Sequence, residues 1–127
     1  MDLGKIIYTR LSTVPGVVAI AGDRIYPEVI PQETDRPAIA YDFTLNNPVN
    51  GTAPVIDGTV LIGCWAKTND AAHQLANAAN AAMQDYSGQS GSLLAKWFDN
   101  GGQTETFDFE YAVWGVVLTF NCVVVGQ

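Results

Sequence analysis

His73 is the single histidine in the chain, and a general base or metal centre built on it would need a nucleophile or further ligands close by. It sits in an alanine-rich stretch with no Cys or Ser motif beside it, which reads as a solvent-facing or capping histidine. Ser87-Gly88-Gln89-Ser90-Gly91 has a superficial likeness to a nucleophile elbow. It lacks the Gly-x-Ser-x-Gly spacing and leaves a helix instead of joining strand to helix, so it reads as a linker. Asp108 and Glu110 lie two apart on one strand face and could form a carboxylate pair, but two exposed acids on one face ordinarily just solvate it. Cys64 and Cys122 both fall in strand-like runs and read as small buried hydrophobes, with a disulfide as the lesser alternative. Asn50-Gly51-Thr52 matches a glycosylation sequon in a chain that shows no secretory signal, and there is no Gly-rich phosphate loop or metal-spaced His/Cys cluster. The expectation is a protein without catalytic residues, metal or cofactor.

Composition points the same way. A length of 127 residues fits one domain, 1–127, with a core that needs no staples. Apolar residues make up 48% and charged residues 15%, below the usual quarter for soluble domains, so less surface can be covered by charge and burial against partner chains is favoured. The net charge is −7 and the six basic residues, Lys5, Arg10, Arg24, Arg36, Lys67 and Lys96, are scattered. That argues against a surface that grips phosphate. No apolar run approaches the length needed to span a bilayer, and the acidic amino end reads as no signal peptide, so cytosolic synthesis without membrane contact is expected.

The elements follow from periodicity. Leu3, Ile6, Ile7 and Leu11 give a short helix over about 2–12, with Asp2 available at its amino end, and Val17–Ala21 could add a helical turn before Gly22. Residues 24–27 read as extended, and Pro27, Pro31 and Pro37 make the next stretch a surface connector. Strands are read over Ala38–Leu45, with Ile39, Tyr41, Phe43 and Leu45 on one face, and over Val60–Ala66, apolar on both faces. A helix is read from Asp70 to about Tyr86, capped by Thr68 or Asn69, followed by a flexible exit through Gly88 and Gly91. Leu93–Phe98 reads as a strand turned by Asp99-Asn100-Gly101-Gly102. A phase jump between Val113 and Val116 requires a hairpin or bulge near 111–115, the hairpin being preferred. In the closing strand Val116, Leu118, Phe120, Cys122 and Val124 form one apolar face, while Val117, Thr119, Asn121 and Val123 form a mixed face open to a neighbour. The fold class is α+β: a single mostly antiparallel sheet packed against one long helix plus a short N-terminal helix.

The connection from Asn46 to Gly58 carries a single charge and is long for a simple loop, which favours a functional projection. Its residues Asn46, Asn47, Pro48, Val49, Asn50, Gly51, Thr52, Ala53, Pro54, Val55 and Ile56 form a candidate partner-contact loop. From Trp97 to the end the chain carries Asp99, Glu105, Asp108 and Glu110 and no basic residue. On residues alone the chain is an assembly module, with a monomeric protein-binding module as the alternative.

Gly22-Asp23-Arg24-Ile25-Tyr26-Pro27 after the first helices, Arg36-Pro37-Ala38-Ile39-Ala40-Tyr41 opening a strand, Trp65-Ala66 before the long helix, and Trp114 to Phe120 in the closing strand follow one another in an order that resembles the tail terminator and tail completion proteins of long-tailed bacteriophages (lambda terminator-like). The likeness spans nearly the whole chain. It departs at Tyr111-Ala112-Val113, where the family usually has a charged turn. The resemblance implies a virion protein at the head-proximal end of the tail, assembled in the host cytoplasm as a homo-oligomeric ring, hexameric in the family. Such a ring stops polymerisation of the tail tube protein and meets the head connector or neck protein, a neck subunit being the alternative role. DNA would pass through without specific binding, and Asp99, Glu105, Asp108 and Glu110 are the candidate channel-facing acids.

Overall fold

Thr68 starts the longest helix as its chemistry predicts. Its backbone is extended and its hydroxyl accepts a hydrogen bond from the Ala71 amide at 3.1 Å, filling one of the orphan donors at a helix start. In the computed structural model, which describes residues 3–28, 30, 37–45, 55–90, 93–110 and 112–126, three helices cover one face of a single sheet. They are α1 (Leu3–Thr13), α2 (Pro15–Ala21) and α3 (Asn69–Met83). The strands are β1 (Ile25–Pro27), β2 (Ala38–Leu45), β3 (Val55–Ala66), β4 (Ser87–Ser90), β5 (Leu93–Asp108) and β6 (Val113–Gly126).

The sheet order is β1-β2-β3-β6-β5-β4. Only β1 and β2 run parallel; every other pair is antiparallel. This is the mostly antiparallel α+β architecture expected. The even-numbered face of β6 is buried from Val116 to Val124, and Val60, Ile62 and Cys64 of β3 are fully buried beside it. Against them lie Ala72, Leu75, Ala76, Ala79, Ala82 and Met83 of α3, and Leu3, Ile6, Ile7 and Leu11 of α1. Small alanine side chains let α3 lie close to the sheet, and each large apolar side chain fully buried contributes about 1.5–3 kcal/mol.

The Gly22–Pro27 segment is a corner piece. Gly22 ends α2 at φ 61, a backbone geometry that favours glycine. Arg24 then donates from Nε to the Pro37 carbonyl at 2.8 Å and from Nη2 to the Ile20 carbonyl at 3.3 Å. Its guanidinium therefore ties the end of α2 to the entry of β2, and the Ile39 amide donates back to the Arg24 carbonyl at 2.9 Å.

Four expectations are corrected. α3 stops at Met83, not Tyr86, because Gln84 leaves helical geometry and Asp85 takes φ 60. The segment after it is an edge strand, not a linker: Ser87–Ser90 pairs with Leu93–Lys96. β3 begins at Val55 and pairs with β6 out to Val125, so Val55–Gly58 belong to the sheet and not to the preceding connection. Asp99–Gly102 is not a hairpin turn. β5 runs through it with register shifts between Lys96 and Asp99 and between Asn100 and Gly102. The extra residues are absorbed as bulges. The preferred hairpin near 111–115 is found slightly earlier, with β5 ending at Asp108, β6 starting at Val113 and Ala112 at φ 53.

Candidate assembly surfaces

Three features of the described residues are open to a partner: the end of the β5–β6 hairpin, the outer edge of β5, and the sheet face away from the helices. The hairpin end carries aromatic side chains. Phe109 is 88% exposed. Its ring meets Phe107 edge-on with centroids 4.9 Å apart, and Phe107 in turn lies 4.9 Å from Trp114, its cross-strand partner. A stack of this kind holds an exposed ring in place before any partner arrives. Alternation of Phe107 and Phe109 was the available signal, but exposure at a turn cannot be told from burial by periodicity.

β4 covers β5 only as far as Lys96. From Asp99 to Phe107 no further strand pairs with the outer edge of β5 among the described residues, and residues 101–106 are all exposed. All four candidate acids belong to this stretch and its turn. Asp99 pairs in register with Asn121 and accepts from Gln84 Nε2 at 3.3 Å. Glu105 accepts from Asn69 Nδ2 and lies 3.6 Å from His73 Nε2. His73 thus faces a carboxylate near the start of α3 and no nucleophile. Asp108 accepts from the Glu110 amide at 2.9 Å, closing the turn, and Glu110 is exposed. The acids therefore do not converge on one point; they are strung along one edge.

The bulged part of β5 is clamped to the carboxyl end of α3 by amides. Asn100 Nδ2 donates to Asn80 Oδ1 at 2.5 Å, the Asn100 amide donates to Gln84 Oε1 at 3.2 Å, and the Gly102 amide donates to Asn100 Oδ1 at 2.7 Å. The Asp85 amide adds a bond to the Phe98 carbonyl at 2.8 Å. These groups satisfy the backbone that the bulges take out of the ladder.

On the outer face of the sheet Trp65 lies flat over glycine. A Cβ on Gly115, its cross-strand partner, would sit 2.6 Å from the indole, and one on Gly63 would sit 2.9 Å from Nε1. The same face presents Leu61, 41% exposed, and a shallow pocket of ≈ 350 Å³ lined by Asp57, Thr59, Asp99, Asn121 and Val123. Cys122 borders this pocket, but burial, with the Asp57 charge adding to it, pushes its thiol up to about 11; burial pushes Cys64 up to about 12. Neutral thiols are poor nucleophiles and poor metal ligands. Both cysteines are free and buried, as small hydrophobes are. No helix among the described residues is long and apolar enough to cross a membrane, and no group of three His, Cys, Asp or Glu side chains is placed to hold a metal ion.

Residues 46–54 of the candidate partner-contact loop lie outside the described residues. Val55 and Ile56 are in β3, in register with Val125 and Val124.

Comparison with curated proteins gave no match. Among solved structures, a chain from the virion of a native gene transfer agent particle has the same fold: TM-score 0.75 at 16% identity, over 98% of this chain and 95% of that one. The family model described as tail completion protein gp17 matches residues 5–124. That match takes in both the Gly22–Pro27 corner and the β5–β6 hairpin, and the chain therefore belongs to the tail completion protein gp17 family.

Proposed function

We propose that this protein, a structural part of a phage-like tail, assembles as a ring, hexameric on the family pattern, at the head-proximal end of the tail tube. There it stops addition of tube subunits and presents the opposite face to the head connector. The observation that carries this reading is the long uncovered edge of β5 with its exposed hairpin end, in a chain whose family completes tails. The exposed hairpin end suits contact with another polypeptide, and joining unlike surfaces of successive copies closes a ring when the rotation fits. The acids strung along that edge suit a channel wall that DNA slides past, since like charge keeps phosphate from gripping. Residues 46–54, with the strand start at Val55 and Ile56, form a second contact toward tube or neck protein. No catalytic step is involved; the protein acts by binding geometry. Deleting the gene should leave DNA-filled heads beside unattached tails of uncontrolled length. Tails of normal length that fail to join heads would overturn the terminator role and favour a neck subunit.

A further inference from the structure

We propose that the end of the β5–β6 hairpin is the arm by which one copy grips the next, seating Phe109 and Glu110 on the exposed face of α1 of a second copy, at Lys5 and Tyr8. This rests on the ring reading above and names the two surfaces that would meet.

The arm is built to engage something. Phe109 is by far the most exposed large hydrophobic among the described residues, and it is pre-positioned by Phe107 and Trp114. From Trp97 onward the chain holds four acids and no base. The receiving face has the opposite character. Residues 3–13 contain no acid; of their two cations Arg10 is turned to the Ala82 carbonyl and the Tyr86 ring, and Lys5 is left for the receiving face. Lys5 is exposed and Tyr8 is 40% exposed; at i and i+3 they share one face of the helix. An ammonium beside an aromatic ring suits a carboxylate beside an aromatic ring.

The arm cannot reach its own α1. Tyr8 stacks near Tyr41, with centroids 6.4 Å apart, and the register row of Tyr41 passes through Ile62 and Leu118 to Gln103. Phe109 lies six residues beyond Gln103, roughly 20 Å further along the strand, and β5 is three strand spacings from β2, about 14 Å across. The contact is therefore between copies and joins unlike surfaces, the kind of interface that closes a ring.

Cysteine pairing tests it in assembled particles. The full chain carrying both Phe109→Cys and Tyr8→Cys is oxidised in purified particles and run without reductant, with each single variant as control. Native Cys64 and Cys122 are buried and free. The expected result is a ladder of linked copies from the double variant only. Lys5→Cys replaces Tyr8→Cys should the latter lower thermal stability. In parallel, Glu110→Lys and Lys5→Glu should each raise the concentration for half-assembly at least about tenfold, and the two together should recover most of it. A particle that contains several copies per tail yet gives no ladder, with neither charge variant altering assembly, overturns the arm and leaves the ring standing. A single copy per tail overturns both.

Discussion

Replacing Phe120 by Ala tests the assignment of the two faces of β6, on which every surface described above depends. Phe120 is fully buried, in a register row that runs from Phe43 through Val60 to Asn100. Truncation removes roughly 100 Å² of apolar surface from the core, about 2.5 kcal/mol at ~25 cal/mol per Å². A residual cavity of roughly 60 Å³ adds about 1.5 kcal/mol at ~24 cal/mol per Å³. The expected loss is therefore about 4 kcal/mol. With a urea slope of about 2 kcal/mol/M for a domain of this size, the midpoint should fall by about 2 M. Thr119→Ala, one residue away on the opposite face, is the control and should cost below about 1 kcal/mol. Equilibrium urea titration followed by tryptophan fluorescence reads both. A Phe120→Ala loss below about 1 kcal/mol, or equal losses for the two variants, would refute the face assignment.

Gly115→Val should cost about 1–3 kcal/mol and shift tryptophan emission to the red, because its Cβ meets Trp65 at 2.6 Å; unchanged emission would mean that the indole does not lie there. Asn100→Ala should cost about 1–3 kcal/mol by stranding Asn80 Oδ1 and the Gly102 amide, and it should speed amide exchange over 99–103, which hydrogen-exchange mass spectrometry would detect. Burial raises the Cys64 thiol to about 12, so above its unfolded pKa near ~8.5 the unfolded chain binds fewer protons than the folded one, and stability falls as pH rises toward 12. The folded-minus-Cys64→Ala difference should accordingly shrink, on the order of 2–3 kcal/mol, between about pH 8 and pH 11 in urea titrations at each pH; a difference independent of pH would count against deep burial of that thiol.

Much of the fold was legible because its signals were local. The alternation of β6, the Thr68 cap and the alanine-rich face of α3 each depend on residues within one element, and each is found where its pattern put it. What could not be read depends on contacts between distant segments. Asp99-Asn100-Gly101-Gly102 has the composition of a turn, yet it stays in a strand because Asn80 and Gln84 on α3 hold the bulged backbone. Ser87–Ser90 has the composition of a linker, yet it finds backbone partners in Leu93–Lys96. Val55–Asp57 reads as the tail of a loop because Gly58 interrupts the apolar run; in the sheet Gly58 packs against Cys122 and Leu45. The candidate assembly surface was half legible. The acids stood out by composition, whereas the exposure of Phe109 appears only once β5 is seen to end at Asp108.

The amide clamp also decides which side of the sheet a stretch of charge is shown on. The two bulges each take up one extra residue of β5, and the pair is held by Asn80 and Gln84 at the rear of α3. Beyond them β5 stays paired with β6 as far as Asp108, and β6 with β3 as far as Trp114. Losing one bulge would slide β5 by one residue and turn the side chains of 102–108 to the opposite face, so two amides on a helix set where Glu105 points.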